Sequence, residues 1–322
     1  MASGEVRGGQ AGIVVQFVLL ALAWGSSFFF IKVGLAELSP AQVVWARMVF
    51  GALTLALIVL VTRRPVPRDR VLWGHLTVVA VLLCVVPFTL FSWAEQHISS
   101  GLASIFNATT PLTTMGFAAA VLSTERITRD RGTGLALGFA GVLLIIGPWA
   151  AGLHADLLAQ LACLGATVCY GLAFVYLRRF VSNRGVPAVT IAFIQVATGA
   201  IIMVLATPLL AGAAIRPGPA VVLSMIALGA VSTGFAYIWN TNVVGAWGAA
   251  NGAAVTYVTP IVGVVLGVLV LDEPLTWNQP VGAVLVILGI LAAHGRLSRL
   301  SRRRVDVDRH VSRRLRDSSP NR

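Results

Sequence analysis

Long apolar stretches separated by short polar gaps dominate the pattern of this 322-residue chain. Residues 185–215 carry no charged side chain, and neither do residues 217–271. A helix of about 20 apolar residues crosses the hydrocarbon core of a bilayer. The second stretch is 55 residues long and is therefore long enough for two crossings, joined by a turn at residues 244–248.

The whole pattern predicts ten membrane-spanning helices with short connections and no separate soluble domain. We place the spans at residues 13–35, 41–62, 71–94, 99–122, 131–149, 157–179, 187–210, 219–243, 249–271 and 277–296. The first stretch exceeds the apolar region of a signal peptide, about 7–15 residues, and no clean cleavage site follows it. We therefore interpret it as a span.

Composition supports a membrane protein. Hydrophobic residues make up 57% of the chain, charged residues make up 11%, and the mean hydropathy is +0.86. A soluble domain carries about 25% charged residues, so this chain lacks the charge to cover a water-facing surface. The three cysteines lie in apolar runs and form neither a disulfide framework nor a metal-ligand spacing.

The basic residues are distributed unevenly and predict the orientation. Of 24 lysines and arginines, 21 lie in the amino terminus, the even-numbered gaps and the tail, whereas the odd-numbered gaps hold only Arg216. Cytoplasmic loops carry the excess of such residues, so we expect a multi-pass protein of the cell membrane with both termini in the cytoplasm. The basic tail at 297–322 is predicted to lie near anionic lipid, and we expect no nucleic-acid partner.

An internal repeat divides the chain. Residues 101–111 align with residues 250–260 at a shift of 149, and residues 125–128 align with residues 273–276 at a shift of 148. Each half then contains five spans, and an odd number places the second half upside down in the membrane. The predicted fold is an all-α integral membrane protein of ten helices, built as two inverted-topology five-helix repeats at 13–149 and 157–296.

These motifs, in this order, resemble the EamA-type ten-helix members of the drug/metabolite transporter superfamily across about residues 13–296. The resemblance rests on Trp24-Gly25-Ser26, Pro40, Arg47, residues 100–103, Pro111, residues 125–128, Pro260, residues 272–276, Gly282 and Gly289. It implies a secondary transporter, usually an exporter or permease of small metabolites, amino acids or drugs.

Two mid-span prolines mark the first candidate site. Pro111 and Pro260 lie near the centres of spans four and nine, and each removes a hydrogen bond to a carbonyl four residues earlier, at Asn107 and Thr256. In lipid such a carbonyl must be bonded or face a cavity. We predict a substrate cavity here; the alternative is a packing kink relieved by threonine hydroxyls.

Aromatic residues beside glycines supply further candidates halfway along spans one and six, because a ring offers a flat face and glycine allows close backbone approach. The predicted substrate-binding residues are Trp24, Ser26, Ser27, Arg47, Asn107, Thr110, Pro111, Tyr170, Tyr237, Asn240, Thr256, Tyr257 and Pro260. The glycine series Gly134, Gly138 and Gly141 is interpreted as helix packing. Glu125 and Glu273 are interpreted as structural charges at the helix N-termini of spans five and ten.

Three charges, Lys32, Arg47 and Glu95, are predicted at the outer side of the first three spans. A charge at this depth has to snorkel, pair or face water. One interpretation is an ion pair that locks the three helices together. The other is that Arg47 attracts substrate carboxylates and that Glu95 modulates this attraction as its protonation changes.

The sequence contains no nucleotide-binding loop, since the only lysine, Lys32, follows an isoleucine. No acidic residue lies deep in a span, which favours facilitated movement or coupling through a peripheral group. The five histidines are scattered, so we predict no enzyme, no cofactor and no metal, with a small-molecule substrate and membrane lipid as partners. The alternatives are a channel-like facilitator, a membrane-embedded enzyme or a structural membrane protein.

Overall fold

The computed structural model describes residues 2–121, 128–147, 154–210, 216–247 and 255–293, and all regular structure in these ranges is helical. The first half contains α1 (Ala2–Gly34), α2 (Pro40–Val61), α3 (Arg70–Ala80), α4 (Val86–Ala94), α5 (Ser100–Asn107), α6 (Thr110–Val121) and α7 (Arg129–Ile146). The second half contains α8 (His154–Phe180), α9 (Ala188–Leu210), α10 (Pro219–Ile226), α11 (Ala236–Trp247), α12 (Val255–Val270) and α13 (Asn278–Ala293).

Two π-helical segments continue the helices without a break. Val81–Val85 joins α3 to α4, and Ala227–Phe235 joins α10 to α11. We refer to them as the first and second π segments. A π turn carries one extra residue and occurs frequently at functional sites.

Within the described residues, six helices are long and apolar enough to cross a membrane, as expected of a multi-pass membrane protein. They are Ala11–Gly34, Pro40–Val61, Arg70–Ala94, Leu157–Phe180, Ala188–Thr207 and Pro219–Trp247. Two shorter apolar helices, Val255–Val270 and Asn278–Ala293, fall in predicted spans nine and ten. Predicted spans four and five correspond to α5 with α6 and to α7.

The two prolines have different local structures. The helix is interrupted just before Pro111, because α5 ends at Asn107 and α6 begins at Thr110. Pro260, in contrast, lies inside the continuous helix α12.

The predicted packing role of the small residues on α7 is confirmed: Gly134 and Gly141 pack against α13, and Gly138 packs against Leu112 on α6. A Cβ on Gly141 would lie 2.8 Å from the carbonyl oxygen of Gly282, and a Cβ on Gly282 would lie 2.5 Å from Cγ1 of Ile145. Only the absence of a side chain permits the two backbones to approach this closely. The fifth and tenth predicted spans therefore form one tight helix pair between the two halves.

Glu273 has a structural role, but at a different helix from the predicted one. Its carboxylate accepts hydrogen bonds from the backbone N–H of Ser100 at 2.8 Å, the backbone N–H of Gly101 at 3.2 Å and the Ser100 hydroxyl at 2.8 Å. It therefore caps α5 in the first half, whose first N–H groups have no partner within their own helix, rather than the helix that follows Glu273 in sequence. Glu125 lies outside the described residues.

Candidate functional site

Arg47 lies on α2 inside the helix bundle and is 8% exposed. Its Nε donates a hydrogen bond to Oγ1 of Thr233 at 3.1 Å, and its Cζ lies 3.7 Å from the ring centroid of Phe88. Within the part of the chain that the structure describes, the guanidinium makes no other hydrogen bond and no ion pair. A cation on an aromatic face is stabilised by the ring quadrupole, so Arg47 is held by neutral groups.

Close packing of α2 on the second π segment explains how Arg47 reaches Thr233. A Cβ on Gly229 would lie 2.8 Å from the carbonyl oxygen of Arg47, and a Cβ on Gly51 would lie 2.9 Å from Cγ2 of Thr233. The Thr233 hydroxyl donates in turn to the carbonyl oxygen of Leu228, five residues earlier, at 3.1 Å. This hydrogen bond fixes the position of the Thr233 hydroxyl oxygen, which accepts the hydrogen bond from Nε of Arg47.

Two tyrosines from the second half complete the surroundings of Arg47. Tyr170 on α8 and Tyr237 on α11 both pack against the apolar cluster that contains Phe88, the ring on which the guanidinium lies. The Tyr237 hydroxyl accepts a hydrogen bond of 2.7 Å from Nε2 of Gln195. We refer to Arg47, Phe88, Tyr170, Thr233 and Tyr237 as the arginine cluster; it joins both halves of the chain.

The chemistry of the arginine cluster suits a ligand with one anionic and one apolar part. The planar guanidinium presents a fork of N–H donors that matches a carboxylate. Because Nε is bonded to Thr233, the terminal nitrogens are the donors that are left for a ligand. The aromatic rings around it offer apolar faces to the remainder of the ligand.

The proline regions satisfy their freed carbonyls internally. The Thr110 hydroxyl donates to the carbonyl oxygen of Asn107 at 2.7 Å, and the Thr259 hydroxyl donates to that of Thr256 at 3.3 Å. This is the arrangement that the packing-kink alternative predicts. The side chain of Asn107 is only partly buried, so a contact between its amide and a ligand stays a prediction.

The other predicted site residues lie in separate surroundings. Trp24 packs with Trp239 and Val258 in an apolar cluster of α1, α11 and α12. The hydroxyls of Ser26 and Ser27 both donate to the carbonyl oxygen of Ala23 on their own helix. The structure therefore brings together Arg47, Tyr170 and Tyr237, whereas Trp24, Ser26 and Ser27 lie in other surroundings, and a contact between these three residues and a ligand stays a prediction. Pro260 is buried, and Thr256, Tyr257 and Asn240 are partly buried.

The ion pair that one interpretation placed among Lys32, Arg47 and Glu95 is not formed within the described residues. Lys32 Nζ donates instead to the backbone carbonyl oxygens of Glu95 at 2.5 Å and Ile98 at 2.9 Å. The end of a helix leaves carbonyls unbonded and carries partial negative charge, so the ammonium finds its partners there. The Glu95 carboxyl group is fully buried.

Sequence reasoning missed Phe88, Thr233 and Gln195. Gln195 was detectable in principle, as a polar residue in a charge-free stretch, 148 positions after Arg47. Thr233 and Phe88 carried no signal, because their contacts with Arg47 depend on how α2 packs. Among the described residues, no three of His, Cys, Asp and Glu lie close enough to hold a metal ion.

A helical membrane protein with a buried polar cluster shared by two halves has the architecture of a small-molecule transporter. The sequence profile of the EamA-like transporter family matches this chain twice, at residues 12–147 and 157–293. The chain belongs to this family and is a membrane transporter.

Curated relatives agree with this membership. A "Probable amino-acid metabolite efflux pump" of Escherichia coli K12 is 29% identical over 86% of this chain and 92% of its own length. A protein of the same name from Salmonella typhimurium is 28% identical over 85% and 91%. An "Uncharacterized transporter" of Archaeoglobus fulgidus is 26% identical over 85% and 97%.

The fold is also found in a solved structure. One crystal structure matches with a TM-score of 0.64 and 19% identity, over 90% of this chain and 99% of that chain. At this identity the match shows a shared fold.

Proposed function

We propose that this protein exports small amino-acid-like metabolites from the cell, and that a carboxylate of the substrate binds to Arg47. The observation that carries the proposal is a buried arginine which, among the described residues, has no carboxylate partner. Two relatives named as efflux pumps for amino-acid metabolites support the substrate class.

The energetics of Arg47 favour a binding role. Burying an unpaired charge is costly, and charges inside membrane proteins commonly mark a substrate pathway. Phe88 and Thr233 hold the guanidinium in place, which reduces the entropy lost when a ligand binds. A carboxylate would supply the missing counter-charge.

We further propose that the two halves are inverted repeats, 13–149 and 157–296, whose rocking exposes the arginine cluster alternately to each side. The cluster draws Arg47 and Phe88 from the first half and Tyr170, Thr233 and Tyr237 from the second. A site at the interface of two repeats is the arrangement on which alternating access depends. The proposal assigns no catalytic residue and no cofactor, and it gives the basic tail at 297–322 no role in transport.

The test is efflux from preloaded proteoliposomes with labelled amino acids and, in parallel, the corresponding amides. We expect wild type to prefer the amino acids. Arg47→Lys keeps the charge but loses the fork, so the apparent affinity for amino acids should fall about 10- to 100-fold, since a hydrogen bond to a charged group contributes about 1.5–3 kcal/mol. Transport of amides should change little.

Arg64→Lys is the matched control, because Arg64 is exposed after α2 and lies outside the arginine cluster. It should transport like wild type. Equal losses for amino acids and amides in Arg47→Lys, at normal protein levels, would contradict carboxylate recognition. Absence of transport for every amino acid would contradict the proposed substrate class.

A further inference from the structure

Three aromatic side chains from both halves meet at the end of the bundle that the charge pattern predicts to be cytoplasmic. A hydrogen bond of 2.8 Å joins Nδ1 of His75, on α3, to the hydroxyl of Tyr176, on α8. The His75 ring stacks on the ring of Phe180, with 5.2 Å between the centroids and 13° between the planes. The rings of Tyr176 and Phe180 lie 4.7 Å apart. We refer to these three residues as the aromatic latch.

An ion pair joins the same two elements where they reach the solvent. Nη1 of Arg184, which follows α8, lies 3.0 Å from Oδ2 of Asp69. Oδ1 of Asp69 accepts a hydrogen bond from the backbone N–H of Val71 and so caps α3. The side chains of Arg184 and Asp69 are 34% and 48% exposed. An exposed ion pair contributes little to stability, so this contact breaks readily.

The remainder of the same span is held more tightly. α4, which continues α3 beyond the first π segment, packs on α8 through side chains that are at most 2% exposed: Phe91, Ala94, Ala159, Cys163 and Ala166. α3, in contrast, meets the end of α8 through the partly exposed latch and a small apolar cluster around Leu76. The contact of α3 with α8 is therefore the weaker of the two.

The chain between α3 and α4 has two features that allow a helix to bend. Val81–Val85 form the first π segment, and Pro87 follows it in the first turn of α4. Sharp bends in helices occur at π bulges and at prolines. Pro87 also lacks the N–H that would bond the carbonyl of Leu83, four residues earlier. α3 can therefore swing about this point while α4 stays on α8.

The position of this hinge separates access from binding. Phe88 belongs to α4, on the far side of the hinge from the latch, and its ring lies 3.7 Å from Cζ of Arg47. On α8, Tyr170 precedes Tyr176 by six residues, which is about 9 Å along a helix. α8 therefore runs from the latch to the arginine cluster. A swing of α3 opens the path along α8 and leaves the ring beneath Arg47 in place.

We propose that α3 is the gate at the predicted cytoplasmic end. It bends at the first π segment, and the aromatic latch, together with the Asp69–Arg184 ion pair, holds it closed against α8. This inference rests on the proposed function for what passes the gate, but the latch and the hinge are tested without any substrate.

The latch is tested by electron–electron double resonance on the purified full-length protein in lipid nanodiscs. An inner pair of spin labels, at Val71→Cys and Ser182→Cys, occupies exposed positions at the ends of α3 and α8. Of the native cysteines only Cys169 is not buried, and it is replaced by serine. Tyr176→Phe removes only the hydroxyl, so the population with a longer inner distance should rise about 2- to 10-fold, as expected for one lost hydrogen bond.

His75→Phe breaks the same hydrogen bond from the other side. It should give the same shift as Tyr176→Phe, and the double variant should shift no further, because both changes remove one interaction. Thr77→Val is the matched control on α3, since the exposed Thr77 hydroxyl bonds the carbonyl oxygen of Trp73 on its own helix. Its inner distance should equal that of wild type. An unchanged inner distance in Tyr176→Phe or in His75→Phe would overturn the latch.

The hinge is tested by an outer pair of labels at the opposite ends of the same two spans. Gln96→Cys, after α4, and Leu158→Cys, on α8, are exposed positions. Their distance should be the same in wild type and in Tyr176→Phe, because α4 stays packed on α8. A shift of the outer pair as large as that of the inner pair would mean that α3 and α4 move as one rigid rod, and the hinge would be rejected.

The gate and the proposed function fail in different ways. If Tyr176→Phe shifts the inner pair but no amino acid is transported by wild type, the gate stands and the proposed function fails. If amino acids are transported and the inner pair does not respond, the proposed function survives and the gate is rejected.

Discussion

Lys32 shows how a partly buried charged side chain is accommodated with no acidic partner among the described residues. Its ammonium closes the end of α4 by bonding the carbonyl oxygens of Glu95 and Ile98. Arg47 likewise rests on Phe88 and Thr233. Because neither cation is paired with Glu95 among the described residues, the guanidinium fork of Arg47 is left for a ligand.

Replacing Lys32 tests this arrangement at the scale of one residue. Lys32→Met leaves two carbonyl oxygens without their donor, and we expect the free energy of unfolding to fall by about 1–3 kcal/mol. Unfolding in mixed micelles, followed by circular dichroism, measures the change. Lys32→Arg, which retains N–H donors, should recover most of the stability. An unchanged free energy of unfolding in Lys32→Met would contradict this role of Lys32, because water would then bond the two carbonyl oxygens equally well.

Single residues were predicted from the sequence when their chemistry was unusual for their surroundings. Arg47 stood out as a charge inside an apolar span, and Tyr170 stood out beside Gly171. The partners of Lys32 were not predictable, because they are backbone carbonyl oxygens that lie near its ammonium only through the position of the end of α4 in the folded structure. Phe88 is one phenylalanine among 14, and nothing in the sequence distinguishes it.

The second π segment is the element that brings Thr233 to Arg47. Residues 81–85, shifted by the repeat distance of 148, fall on residues 229–233, inside the second π segment. The first π segment contains Cys84, and the second supplies Thr233 to Arg47. Hydrophobic periodicity does not reveal a π turn, because one extra residue in a uniformly apolar span leaves no trace in the pattern.

The pair formed by α7 and α13 gives a test at the scale of elements. Gly141→Ala places a Cβ 2.8 Å from the carbonyl oxygen of Gly282, and we expect a destabilisation of about 1–3 kcal/mol from overpacking. The matched control is Gly74→Ala, because a Cβ on this exposed helical glycine meets nothing within 4 Å. It should stabilise α3 by about 0.5–1 kcal/mol.

Thermal unfolding of both glycine variants in the same detergent provides the measurement. A Gly141→Ala protein as stable as Gly74→Ala would show that α7 and α13 can separate at no cost. The sequence was sufficient to predict this contact surface, since the glycines recur in both halves at one shift. It did not indicate that the two glycine helices pack against each other.

At the scale of the molecule, contacts between distant parts of the chain tie the halves together. Glu273 caps α5 across 173 sequence positions, and Arg47 binds Thr233 across 186. The number of halves was predictable, because duplication leaves aligned motifs, and the family profile matches twice. The cap that Glu273 forms on α5 was not predictable. The position of Glu273 just before α13 in sequence gives no information about which other helix begins near it in space.

Membrane orientation is the last prediction, and it follows from charge. Of the lysines and arginines, 21 lie in the amino terminus, the even-numbered gaps and the tail, against one in the odd-numbered gaps. Because positive residues are retained in the cytoplasm, a reporter enzyme active only outside should be silent after Arg322 and active when inserted after His154. Activity after Arg322 would require an odd number of crossings between an inner amino terminus and the tail, which is incompatible with two five-span repeats.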